Sequence, residues 1–153
     1  DAAIAEVPLP NGQRSDAFAR AERAAWEETG EAYRPALLAD VPLIPAHTAL
    51  LTTTVYHGSN PPGIVDIVPS ESPRPAGWTA ALVIVDGLIG QAVDDGICQR
   101  FSHVPGMPEL LLRAVSYRRH VNDLHSASRS NTRSHIERVE QHLVSRASAI
   151  LER

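Results

Sequence analysis

The stretch Trp78–Gly96, WTAALVIVDGLIGQAVDDG, decides how the rest of the chain is read. It is the most apolar run in the sequence, and it ends in the only adjacent pair of aspartates, Asp94 and Asp95. Leu82, Val85, Ile89 and Val93 recur at helical spacing, which predicts a helix over 78–92. The β-branched run Val83 to Val85 and the glycines at 87 and 90 also permit a strand at its start. Asp86 interrupts the run, so it falls short of the roughly 18 uncharged residues that a membrane span needs. An oily element that delivers two carboxylates to its own end is one way to build a divalent-metal site. It is equally how a core helix meets water.

Upstream, Ile4 to Leu9 reads as a short extended piece closed by Pro10, Asn11 and Gly12. A helix is expected from Ser15 or Asp16, with Phe18, Ala21, Ala25, Trp26, Thr29 and Ala32 to Tyr33 on its apolar face and Arg20, Glu27, Glu28 and Glu31 facing out, weakened at Gly30 and stopped at Pro35. Thr48 to His57, TALLTTTVYH, is β-branched and aromatic, which predicts a strand. Ile64 to Val68 is a second extended run with Asp66 at its centre, and residues 69–77 form a polar, proline-rich loop. Downstream, Asp94-Asp95-Gly96 makes a turn and Ile97 to Phe101 is expected as a short strand. Glu109 to Tyr117 fits either a helix entered through Pro108 or a closing strand. After a polar break at 126–130, a last helix is expected over about 132–152. Ser134 and Glu137 match a capping box, and Ile136, Val139, Leu143, Ala147 and Ile150 form its stripe. That stripe must lie on the domain or on a second copy of itself. Together these elements predict an α+β fold, a small mixed sheet with flanking helices and a C-terminal helical extension.

All 14 basic residues are arginine, so any cationic contact must come from Arg or His. Residues 1–99 hold 13 acids against 5 arginines, whereas residues 100–153 hold 5 acids against 9 arginines. The charge changes sign near residue 120. A core domain over 1–120 and a basic helical tail over 121–153 follow from that, the tail being either a solvated face or a surface for an anionic partner. No signal-peptide pattern opens the sequence, and a cytoplasmic setting is the expectation. Cys98 stands alone and reads as a small buried side chain.

Two sets of residues could carry chemistry. Asp66, Asp86, Asp94 and Asp95 are oxygen ligands of the kind Mg²⁺ takes, one or two carboxylates completed by water and substrate phosphate. The same residues also fit a structural account in which Asp94-Asp95-Gly96 is a turn, Asp66 faces solvent and Asp86 pairs with an arginine. His120, Asp123, His125, His135 and His142 invite a metal reading, but their spacing is not the i, i+4 of helical zinc pairs.

The order of the pieces VPLPNGQR at 7–14, ARAERAAWEE at 19–28, LLTTTVYH at 50–57, VDGLIG at 85–90 and VDDG at 93–96 resembles the RusA-type Holliday-junction resolvases. The resemblance spans roughly residues 4–118. It implies a homodimeric α+β endonuclease that cuts branched DNA with Mg²⁺, with Asp66, Asp94 and Asp95 catalytic and Asp66 and Asp95 on the metal. The chain departs from the family pattern in its acidic segment, which keeps only Asp66 because Ile64 and Val68 occupy the places two residues either side, and at Leu82, where the family has a lysine. The reading that follows is a diverged nuclease or its inactive descendant, with Arg118, Arg119, Arg129 and Arg133 as DNA contacts. The alternative is a non-catalytic assembly or interaction subunit, such as a phage structural or accessory protein, oligomerising through the C-terminal helix.

Overall fold

Helix α5 (Met107–Asp123) is the axis of the molecule, and nearly every side chain from Met107 to Tyr117 is buried. A computed structural model describes residues 11–30, 40–124 and 130–151. The burial of α5 on all sides explains why its sequence also reads as a strand. An apolar run covered on every face loses the amphipathic period that distinguishes helix from strand. Gly106, in the left-handed conformation at φ 69°, starts the helix, and Pro108 occupies its first turn.

Helix α1 (Asn11–Gly30), α3 (Trp78–Ile89) and α6 (Ser130–Leu151) pack around α5. Helix α1 begins earlier than Ser15, so Asn11 and Gly12 belong to it rather than to a turn. Its small residues Ala17, Ala21 and Ala25 are buried and let it lie close to α5. Helix α3 buries Trp78, Leu82, Val85 and Leu88 at i, i+4, i+7 and i+10 spacing, and each contributes roughly 1.5–3 kcal/mol. Gly77 before it sits at φ 102°, a conformation open to glycine, and a β-carbon there would stand 2.8 Å from Val104 Cγ1.

Of the expected stripe of α6, Ile136, Val139, Leu143 and Ala147 are buried in the same core cluster as α3 and α5, and Ile150 is half exposed. The stripe lies on the chain itself. Helix α6 starts at Ser130, so the Ser134–Glu137 pair falls inside the helix and not at its beginning. The charge boundary near residue 120 falls within α5.

The α+β class is as expected, and the sheet consists of antiparallel ribbons. Strand β1 (Leu43–Ile44) pairs with β4 (Arg74–Pro75), and β2 (Thr54–Val55) pairs with β3 (Gly63–Ile64). Two expected strands are corrected. The middle of Thr48 to His57 is a turn of helix, α2 (Leu50–Thr53), and only Thr54 and Val55 are in a strand. The threonine hydroxyls donate back to carbonyls, Thr53 Oγ1 to Ala49 O at 2.9 Å and Thr54 Oγ1 to Leu50 O at 2.6 Å, so they close a turn instead of facing a sheet. The expected strand Ile97–Phe101 is likewise helical, α4 (Gly96–Arg100), because Asp94 Oδ1 accepts the Gly96 N–H at 2.9 Å and folds the backbone into a turn. The extended piece at Ile4–Leu9 and most of the break at 126–130 lie outside the described residues.

Candidate functional site

The ribbons form one long antiparallel hairpin, residues 42–76. Leu43 faces Pro75, Ile44 faces Arg74, Thr54 faces Ile64 and Val55 faces Gly63, every pair centred on Ser59. Between them His47 bridges Pro69, Thr48 N–H donates to Val68 O at 2.8 Å and Ser70 N–H donates to Ala46 O at 2.9 Å. That bridge is one step out of the common register, and the turn α2 restores it further out.

The base of the hairpin is fixed by charge. Glu22 on α1 is buried and accepts from Arg74 Nε at 2.7 Å and from the Glu71 N–H at 2.8 Å. Arg74 and Arg113 lie against the two-ring system of Trp26, at 4.7 and 4.1 Å from the ring centroid. Arg118 on α5 grips both oxygens of Asp86 on α3, at 2.6 and 2.7 Å, and donates to the Thr48 carbonyl at 2.7 Å. Burial pushes the Asp86 carboxyl up, against the pull of Arg118. Fork geometry of this kind holds an arginine in place, so three elements meet at one guanidinium. His47 completes the fastening. Its Nδ1 accepts from the Ala49 N–H at 3.1 Å, which leaves Nε2 as the donor to Asp66 O at 2.9 Å.

The outer half of the hairpin is different. Between Asp40 and Glu71 the chain has a single charged residue, Asp66, and no arginine. Leu51, Val55, Tyr56, Ile64, Val65 and Ile67 are all exposed there, Tyr56 by 73%, Val65 by 67% and Ile67 by 76%. Opposed residues in an antiparallel pair share a face and neighbours alternate. Ile64 and Tyr56 therefore stand on one face, and Val55 and Val65 on the other. A β-carbon built on Gly63 would lie 3.5 Å from Val55 Cγ2, as the shared face requires. Both faces of the ribbon are apolar, and β2 and β3 contact chiefly each other.

The acids expected at a metal site occupy separate places. Asp66 is exposed on the arm and accepts its neighbour's N–H, Ile67 N to Oδ1 at 2.8 Å. Asp94 Oδ1 closes the turn before α4 by accepting the Gly96 N–H, and Asp95 Oδ1 lies 3.7 Å from His142 Nε2 on α6. Asp86 belongs to Arg118. Among the described residues, no group of three or more His, Cys, Asp and Glu side chains could hold a metal ion. Asp94 and Arg100 line an open hollow of about 460 Å³ beside the end of α3. There Gln91 adopts a left-handed conformation at φ 55°, and the Ala92 N–H closes back on Gly87 O at 2.8 Å.

The arginines expected to meet DNA have partners within the fold. Besides Arg118, Arg119 pairs with Glu28 at 2.6 Å and Arg133 with Asp123 at 2.7 Å. Arg129 and His125 lie outside the described residues. The exposed arm is the feature that motif reading missed. Its signal in the sequence was the near absence of charge over 41–70, in a chain with 21% charged residues.

Compared with protein-family models, with curated proteins and with solved structures, the chain matches none. No helix among the described residues is long and apolar enough to cross a membrane.

Proposed function

We propose that this chain is a non-catalytic assembly subunit, a structural or accessory protein that joins copies of itself through the outer half of the 42–76 hairpin. The observation that carries this reading is a ribbon apolar on both faces, standing free on a base held by part-buried ion pairs. A lone two-stranded ribbon is marginal in water unless its apolar surface is covered. The exposed apolar residues of the outer half, from Leu51 to Ile67, present on the order of 700 Å² over both faces, near the roughly 800 Å² per partner of a standard protein interface. With one charge in the segment, contact there costs little in desolvation. The expected route through the C-terminal helix is less favoured, because the stripe of α6 is already covered by α3 and α5.

The full chain should sediment well above its 16.6 kDa monomer mass at micromolar concentration and change little with salt, as apolar contact does. The double variant Tyr56→Asp, Ile64→Asp should return it to a monomer with unchanged helix content. A monomeric wild type would refute the reading.

A second reading, the Mg²⁺-dependent endonuclease acting on branched DNA, rests on the hollow beside Asp94 and Arg100. Mg²⁺ needs few protein carboxylates when phosphate and water complete its shell. Cleavage of a four-way junction in Mg²⁺, lost in Asp94→Asn, would support it. No cleavage by the wild type would remove it.

A further inference from the structure

His47 sits where the hairpin gives way to α2, and its ring makes a bond that a proton can undo. Its own backbone N–H is held by Thr79 Oγ1 on α3 at 2.9 Å. Its Nδ1 accepts the N–H of Ala49, the residue before α2, at 3.1 Å, and its Nε2 donates across the ribbon to Asp66 O at 2.9 Å. A side-chain acceptor that takes the N–H two residues on is the arrangement by which Asn and Asp start a turn. Here an imidazole does so, and the methyl of Ala49 offers α2 no cap of its own.

Both nitrogens of a protonated imidazole are donors. A proton on Nδ1 faces the Ala49 N–H, donor against donor, while the bond from Nε2 to Asp66 O persists and gains charge assistance. Protonation therefore frees the start of α2 without parting the strands there. Helix α2 in turn sets the register of the outer ribbon. From the bond between Thr48 N–H and Val68 O to that between Val65 N–H and Thr53 O, one strand advances five residues and the other three. The turn α2 takes up the difference. We propose that His47 is a proton-operated latch, whose neutral ring holds α2 and the register of the outer hairpin and whose protonated ring releases both.

Few groups face this site. Helix α2 brings no titratable residue, only the Thr53 hydroxyl at 3.4 Å from Nε2. The return strand brings Asp66, whose carboxylate takes the Ile67 N–H. Helix α3 brings Thr79 and Asp86. Helix α5 brings Arg118, which grips Asp86 and the Thr48 carbonyl, and Tyr117, hydrogen-bonded to Thr48. Burial pushes the Asp86 carboxyl up, so Asp86 also responds to acid. The deciding variant therefore removes the imidazole and keeps Asp86.

Nuclear magnetic resonance of the full chain reads the latch directly. At about pH 7.5 the His47 ring should carry its proton on Nε2 alone, and the Ala49 amide should be protected from exchange. At about pH 5, below the ordinary histidine range near 6.5, the amides of Ala49 and Thr53 should lose about tenfold of that protection after correction for the intrinsic rate, the factor that one hydrogen bond supplies. Those of α5 should hold. His47→Asn gives up the bond to Asp66 O but keeps an acceptor that gains no proton, so its Ala49 amide should be equally protected at both pH values. A ring proton on Nδ1 at about pH 7.5 would overturn the proposal. So would an Ala49 amide indifferent to acid in wild type, or one equally responsive in His47→Asn.

A consequence for assembly rests on the reading proposed above. Wild type should sediment as a monomer at about pH 5 and His47→Asn should not. A wild type that stays assembled while Ala49 is freed would overturn the control of register by α2. A wild type that is monomeric at both pH values, with the Ala49 response intact, would defeat the assembly reading and leave the latch standing.

Discussion

Replacing Arg118 by leucine should be among the most damaging single changes in this molecule. The substitution leaves Asp86 between α3 and α5 with neither of its bonds at 2.6 and 2.7 Å, and strips the Thr48 carbonyl of its donor. The pair is largely but not fully buried, its side chains 16% and 15% exposed. Breaking it from one side therefore costs up to about 3–5 kcal/mol, because the remaining charge keeps much of its desolvation penalty. For a domain of this size each kcal/mol lowers Tm by roughly 2–4 °C, so a loss of up to about 6–20 °C is expected. The double variant Arg118→Leu, Asp86→Leu removes both charges and should recover most of that loss, since apolar groups can replace a buried pair at little cost. The pH dependence has a definite sign. A carboxyl whose folded pKa lies above its unfolded one binds a proton more readily when folded. Its stability contribution is present below the unfolded pKa and is lost as pH rises through the folded one. Burial already pushes Asp86 that way with Arg118 present, and does so further without it. The deficit of Arg118→Leu should therefore shrink as pH falls from 7 toward 4. Urea melts of wild type, both single variants and the double variant at several pH values measure all four corners. Equal stability of Arg118→Leu and wild type at pH 7, or a deficit that grows on acidification, would refute the reasoning.

Other perturbations have equally specific outcomes. Gln91→Gly relieves a left-handed conformation that costs an L-residue about 1–2 kcal/mol, less the extra chain freedom of glycine, and thermal melts should show a rise of roughly 1–3 °C. Gly77→Ala places a methyl 2.8 Å from Val104 Cγ1 at φ 102° and should cost about 1–3 kcal/mol by urea unfolding; no loss would mean that the turn before α3 adjusts freely. Glu28 feels burial that raises its pKa, but hydrogen bonds from His120, Arg119 and Ser116 together hold it below its ordinary value. Its contribution is present above the unfolded carboxyl pKa and lost as pH falls through the folded one, so Glu28→Gln should flatten the acid limb of the stability curve. An unchanged acid limb would count against that network.

The helical frame was largely legible because its signals are local. The apolar spacing of Trp78 to Leu88 and the stripe from Ile136 to Ala147 each report one face of one helix. The hairpin was not, because its register joins residues as distant as Leu43 and Pro75, and no short window contains both sides. TALLTTTVYH misled for a chemical reason. Threonine favours strands by shape, yet its hydroxyl can close a turn on the carbonyl four residues back, as Thr53 and Thr54 do. At the acidic residues, the structural account given by the sequence matches the observed geometry. Asp86 meets an arginine, Asp66 is exposed and Asp94 caps a turn. Which arginine held Asp86 was not readable, since Arg118 lies 32 residues away on another helix.

Amide hydrogen exchange of the hairpin, followed as a function of protein concentration, tests the assembly claim most directly. Alone in water the amides around Val55, Ile64 and Val65 should exchange within the dead time. Above the association midpoint they should slow by at least tenfold, while those of α5 stay as they were. Exchange of the arm that is equally fast at every concentration would contradict the account.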